Sequence, residues 1–175
     1  MKTSPDITDD AVCAVPPRRA SLGTRSRPGR VWALPGGPGC AGYARRALAD
    51  ALTPLRVPRD VVADAQLMVS ELATNAHQHA GDHGPHELWF DPGEPGDDGA
   101  AEARCAVFDA FVDAGLPGYS WTSGDCGRGL SIVRELSGGR WGMLRTRSRT
   151  GSPVHGKAVW FAVPRLPAEP LFPAS

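Results

Sequence analysis

Glu71 and Asn75 stand four residues apart in the stretch LMVSELATNAHQHA, residues 67–80. On a helix turning about 100° per residue, that spacing puts a carboxylate and a carboxamide on one face, one turn apart, with Thr74 and Gln78 beside them. Such a pair can orient an attacking hydroxyl or water. It can also hold a hard cation through oxygen ligands, the chemistry found beside a nucleotide phosphate chain. Two further features belong to the same chemistry. Asp109 ends an alternating run, and a buried carboxylate there could accept a hydrogen bond from the exocyclic amine of adenine. Gly127-Arg128-Gly129-Leu130 opens a helical pattern. Glycines at such a place let backbone amides approach an anion that the helix dipole favours, and phosphate is the natural occupant. Each feature also has a plainer use: solvated helix residues, a turn aspartate, a glycine-rich helix start.

Two other clusters invite functional readings and lose to simpler ones. His77, His79, His83 and His86 with Asp82 hint at a metal site, but His77 and His79 point in divergent directions on a helix, and Gly81 and Gly84 break any regular frame. His79 is assigned instead to a hydrogen bond in the pocket wall. Trp89, Trp121, Trp141 and Trp160 could stack bases. With zero net charge and most of them on predicted strands, core packing is the better reading.

A helix that carries such a face needs a layer to lie on. Val61, Ala65, Met68, Leu72 and Ala76 form an apolar stripe adjoining the Glu71–Asn75 face, as a helix on a sheet requires. Residues 31–34 form a short strand closed by Pro35 and a glycine cluster. A helix is expected at about 40–52, and a second from just after Pro58, with Asp60 as N-cap, to Gly81. Strands follow at 86–90 and 103–109, the latter with Cys105, Val107 and Asp109 on one face. They are joined by an acidic, turn-rich connector and so read as an antiparallel pair. After an irregular segment at 110–128, a helix at about 129–137 buries Leu130, Val133 and Leu136 and ends at Gly138-Gly139. Strands at 140–144 and 156–163 close the domain. The order β, α, α, β, β, α, β, β predicts an α+β, two-layer sandwich: one mixed sheet of about five strands covered on one face by three helices.

Length and composition set the bounds. The chain has 175 residues, enough for one well-buried domain, here residues 30–165 with tails at 1–29 and 166–175. Lys plus Arg equals Asp plus Glu at 19 each, so no global field argues for direct nucleic-acid contact. No apolar run approaches the roughly 20 residues of a membrane span, and no apolar leader opens the sequence. The expectation is a cytoplasmic protein without a membrane partner. Cys13, Cys40, Cys105 and Cys126 are scattered and read as reduced thiols, with Cys105 buried in a strand.

ELATNAHQHA, followed by Asp109 and then GRGLSIV, resembles the GHKL ATPase superfamily and its Bergerat nucleotide-binding fold. It is most similar there to the small stand-alone serine/threonine kinases of the anti-sigma regulatory type. Glu71, Asn75, His79 and Ala80 match that group's ExxxNAxxHA pattern, and GKAVWFAVP resembles its closing strand. The likeness spans residues 31–163. It implies ATP and Mg²⁺ as cofactors, with Glu71 the general base and Asn75 a Mg²⁺ ligand. It further implies that Asp109 recognises adenine, that His79, Gly115, Gly127, Arg128, Gly129 and Leu130 belong to the nucleotide site, and that 110–126 form a lid. The implied partners are a sigma factor and a small anti-sigma antagonist, and a homodimer, since the group's kinases often dimerise. The alternative within the same fold is a nucleotide-sensing binding module with weak transfer. Two departures bear on the choice. Asp109 is followed by Ala110-Phe111, with a second D-x-G at Asp113-Ala114-Gly115, so Asp113 competes with Asp109 for adenine. The lid has no lysine, which leaves phosphate charge to Arg128.

Overall fold

A computed structural model describes residues 29–80, 84–93, 101–110 and 125–165. Strand β1 (Arg30–Ala33) leads into helix α1 (Cys40–Leu52), a 3₁₀ turn (Thr53–Leu55) and the long helix α2 (Arg59–Ala80). Strands β2 (His86–Asp91) and β3 (Ala101–Asp109) follow, then helix α3 (Asp125–Leu136) and strands β4 (Trp141–Arg147) and β5 (His155–Arg165). No helix among the described residues is long and apolar enough to cross a membrane.

The α1–α2 corner is built from local chemistry. Thr53 donates its hydroxyl back to the Ala49 carbonyl at 2.9 Å, and Arg56 turns the chain with a left-handed φ of 53°. The carbonyl of Pro58 then accepts the first α2 bond, from Val62 N at 2.9 Å. That puts the cap position two residues earlier than predicted, so Asp60 lies inside the first turn, where its charge suits the helix dipole. The two helices run antiparallel. Cys40 Sγ meets the Ala73 carbonyl, and Arg45 donates to Ser70 Oγ at 3.0 Å while Ser70 itself bonds the Gln66 carbonyl. At the far end of the domain α3 stops in a Schellman-type turn. Gly138 and Gly139 take positive φ, and Gly139 N reaches back to the Arg134 carbonyl at 2.8 Å.

The sheet order is β1-β2-β3-β5-β4, and every adjacent pair is antiparallel. This corrects the expected mixed sheet. Two helices between β1 and β2 return the chain to its starting end, so the next strand must run back alongside β1. The single helix between β3 and β4 does leave those two strands pointing the same way. They are not neighbours, because β5 comes back between them and is antiparallel to both.

One sheet face lies under the helices and carries the main core. Leu88 and Phe90 of β2, Cys105 and Val107 of β3, and Phe161 and Val163 of β5 meet Leu48, Leu52, Ala65, Val69, Leu72 and Val133. The predicted α2 stripe is in place: Ala65, Met68, Leu72 and Ala76 are buried and Val61 packs at the edge. Burying side chains as large as Leu48 or Phe161 contributes about 1.5–3 kcal/mol each. The opposite face holds a smaller cluster, Trp89, Ala106, Phe108 and Ala158, with the Trp89 and Phe108 rings stacked at 5.5 Å. Trp89 is buried and Trp141 and Trp160 are partly buried, all against apolar neighbours, as the core reading expected; Trp121 lies outside the described residues.

Candidate functional site

On α2, Glu71 and Asn75 are half-buried, one turn apart, beside the buried stripe that fixes the helix on the sheet. Helix α3 packs against α2, and Gly129 lies at that contact. A Cβ placed on Gly129 would lie 2.9 Å from Glu71 Oε2 and 3.3 Å from Asn75 Nδ2. Glycine lets the α3 backbone lie close over that carboxylate–amide pair, and any side chain there would have to displace the ends of Glu71 and Asn75. The sequence-predicted residues Glu71, Asn75 and Gly129 are therefore in one place.

Helix α3 begins at Asp125, a full turn earlier than predicted, so Gly127, Arg128 and Gly129 are helical rather than part of a loop ahead of it. Their role shifts accordingly. The first described turn of α3, residues 125–128, lies within about 6 Å along the axis of Gly129. The positive end of α3 thus lies within one turn of the Glu71–Asn75 face, where an anion is favoured. Leu130, the neighbour of Gly129, packs its side chain against the main core. Gly115 and Asp113 lie outside the described residues, as do the side chains of His79 and Arg128 and most of the predicted lid.

Asp109 ends β3 and is 3% exposed. Its alternation with Cys105 and Val107 turns it to the helix-covered face, as predicted. Across the sheet it stands in register with His86 on one side and Lys157 on the other, and Lys157 is in turn level with Arg145. Lys157 Nζ lies 3.8 Å from Asp109 Oδ2. Sequence reasoning missed this pairing. The signal was available in β5, where Lys157, Val159, Phe161 and Val163 share one face and make the lysine an inward-pointing residue. His86, 6% exposed, has an Nε2 without a hydrogen-bond partner among the described residues. Burial, with His77 nearby as a second cause, lowers its pKa, so the ring is neutral at pH 7.

A second carboxylate that the sequence did not single out is fully buried. Glu87 points to the opposite sheet face and accepts from Trp89 Nε1 at 2.6 Å, Thr150 N at 2.8 Å, Arg149 N at 2.8 Å and the Thr150 hydroxyl. Arg149 also lays its guanidinium over the Trp89 ring at 4.0 Å. These bonds tie down the turn between β4 and β5, the strand that carries Lys157.

Glu71 and Asn75 offer oxygen donors, which suit a hard cation such as Mg²⁺. No group of three or more His, Cys, Asp or Glu side chains able to hold a metal ion occurs among the described residues. Mg²⁺ is bound through one or two protein oxygens together with waters and substrate phosphates, and Asn75 Oδ1 beside the Glu71 carboxylate offers that minimum. Comparison with known proteins brings no family model and no curated sequence that matches the chain.

Proposed function

We propose that this protein is an ATP-binding regulatory serine/threonine kinase of the anti-sigma type, built on a Bergerat nucleotide-binding fold. The observation that carries the reading is the seat of Gly129 on Glu71 and Asn75. It joins the amide-rich end of α3 to an oxygen-ligand pair, as a Mg²⁺-bound phosphate chain requires. Five antiparallel strands with three helices among the described residues support the fold assignment, and the buried Asp109 on the helix-covered face supports adenine recognition.

In this reading Asn75 would hold Mg²⁺, the first turn of α3 would receive the phosphates, and Glu71 would take the proton from an attacking serine hydroxyl. The bound metal supplies charge neutralisation of the phosphoryl group. The phosphorylated partner is a small antagonist protein and the regulated one a sigma factor, both in the cytoplasm.

One observation favours a weaker catalyst, the nucleotide-sensing module. The chain has only two lysines, Lys2 and Lys157, and Lys157 is engaged with Asp109 rather than with the phosphate end. Calorimetric titration with ATP, with and without Mg²⁺, tests the common core of both readings. The wild type should bind in a Mg²⁺-dependent way and Asn75→Ala should lose that dependence. Absence of ATP binding by the wild type sinks the assignment. Radiolabel transfer to a candidate antagonist separates kinase from sensor: Glu71→Ala should abolish transfer while ATP binding persists.

A further inference from the structure

Strand β4 ends the sheet order, with β5 on one side and no described strand on the other. Its hydrogen-bond phase is fixed by the bonds that flank it. Ala162 N donates to the Arg140 carbonyl at 2.9 Å, and Ser148 N donates to the Val154 carbonyl at 2.8 Å. In an antiparallel ladder every second residue faces its partner strand, so the even-numbered residues between these bonds turn their N–H and C=O groups to β5. Met143, Arg145 and Arg147 turn theirs to the open edge. The side chains of the same three residues share one face and are exposed, outside the cover that the helices give Phe161.

The edge is also one-signed. Between Glu135 and Glu169 the sequence has no acidic residue and six Lys or Arg. Arg140 is paired with Glu102 and Lys157 stands by Asp109, whereas Arg145 and Arg147 meet no carboxylate among the described residues. Instead Arg145 is level with Lys157, and Arg147 with His155. Like charges directly opposite one another are unfavourable in a sheet, and an anion beside them relieves the repulsion. Charged residues on an edge ordinarily keep other strands from adding. Here the exclusion is selective: a second copy of β4 would bring arginine against arginine, while an acidic strand is drawn in.

We propose that the β4 edge is a docking site for an extended acidic segment of a partner protein, which adds to the sheet as a further strand. Antiparallel to β4, such a segment reads acid-x-acid-x-apolar. Its carboxylates fall opposite Arg147 and Arg145, and its apolar side chain falls opposite Met143, which is 42% exposed. The occupant belongs to another protein, since this chain nowhere has two acidic residues two positions apart. A peptide backbone, unlike a nucleic acid, matches a row of alternating N–H and C=O groups. The site does not depend on the nucleotide reading.

The test is fluorescence anisotropy with the full chain and a labelled peptide, Thr-Glu-Val-Glu-Val-Leu-Thr. The wild type should bind it saturably. N-methylation of both glutamate amides, which face β4, should weaken binding by at least about tenfold, because two strand bonds are lost. Arg145→Glu/Arg147→Glu should lose this peptide and take up Thr-Lys-Val-Lys-Val-Leu-Thr instead, with an unchanged unfolding midpoint. A loss of fold cannot produce that exchange, and if the double variant does not fold, the N-methyl comparison on the wild type decides. No saturable binding by the wild type, equal binding of the N-methylated peptide, a folded double variant that does not exchange peptides, or preference for a single-stranded RNA of equal charge would each overturn the inference. None of these outcomes bears on ATP binding, so the two readings fail separately.

Discussion

Replacing Glu87 with glutamine changes no volume and removes one charge, and the geometry says what that costs. Oε1 receives Thr150 N and the Thr150 hydroxyl, while Oε2 receives Trp89 Nε1 and Arg149 N. Whichever way the glutamine amide turns, its NH₂ meets donors, so at least one buried N–H loses its acceptor. A stranded buried donor costs about 1–3 kcal/mol, and the remaining bonds fall from charge-assisted to neutral strength. Glu87→Gln should therefore lower unfolding free energy by about 2–4 kcal/mol at pH 7 in a urea titration. The effect has a pH signature. Burial pushes the Glu87 carboxyl up, but the bonds from Thr150, Arg149 and Trp89 outweigh it and hold the pKa below its ordinary 4.5. A depressed carboxylate pKa stabilises the fold above the unfolded value, and that stability disappears as pH falls through the folded value. The gap between wild type and Glu87→Gln should hold from pH 7 to about pH 5 and close progressively below about 4.5. A gap under about 1 kcal/mol at neutral pH, or one that stays constant down to pH 3, would refute the role given to these bonds.

Three further outcomes follow from the same kind of geometry. Gly129→Ala meets only the flexible ends of Glu71 and Asn75 and adds a better helix former, so the unfolding midpoint should hold or rise while MgATP affinity in a calorimetric titration falls about tenfold. Gly156→Ala has no such escape: its Cβ would collide with the Asp109 carbonyl and come within 2.6 Å of the Phe108 ring, and the loss in chemical denaturation should be about 3 kcal/mol. Burial pushes the thiols of Cys40 and Cys105 up, so alkylation followed by peptide mass mapping should leave both unmodified in the native protein and modify both in denaturant.

What could be read from the chain follows the reach of the interactions. The α1 bounds, the α2 core stripe and the inward face of Cys105, Val107 and Asp109 all come from periodicity, which is local, and the structure has them where the pattern put them. The end of α3 was legible because Gly138-Gly139 marks a stop, while its start was not, because glycines at 127 and 129 look like loop yet are helical, and Gly129 lies against Glu71 and Asn75 of α2. Strand polarity depended on which strand fills the gap beside β3, a choice made across more than fifty residues. Glu87 and Lys157 are the clearest omissions. Their partners, Arg149 and Thr150 for one and Asp109 for the other, are 48 to 63 positions distant, and no spacing rule reaches that far.

The two halves of the proposed pocket are held by different kinds of structure, and that difference predicts how they fail. Asp109 and Lys157 belong to interior strands, fixed by ladder hydrogen bonds on both sides and by the close fit of Gly156 against Asp109. Gly129 is placed by one helix lying on another, through Val133 and the partly buried Leu130 and Leu136. Ladder bonds resist sliding because a shift of one residue would turn every side chain to the wrong face, whereas helix-on-helix contacts relax by small adjustments. Under the proposed function, base recognition would be the rigid half of the pocket and phosphate recognition the adaptable one. A regulator whose partners follow nucleotide state needs that division: the sheet would read the base, and α3, the element freer to adjust, would answer the presence of a terminal phosphate.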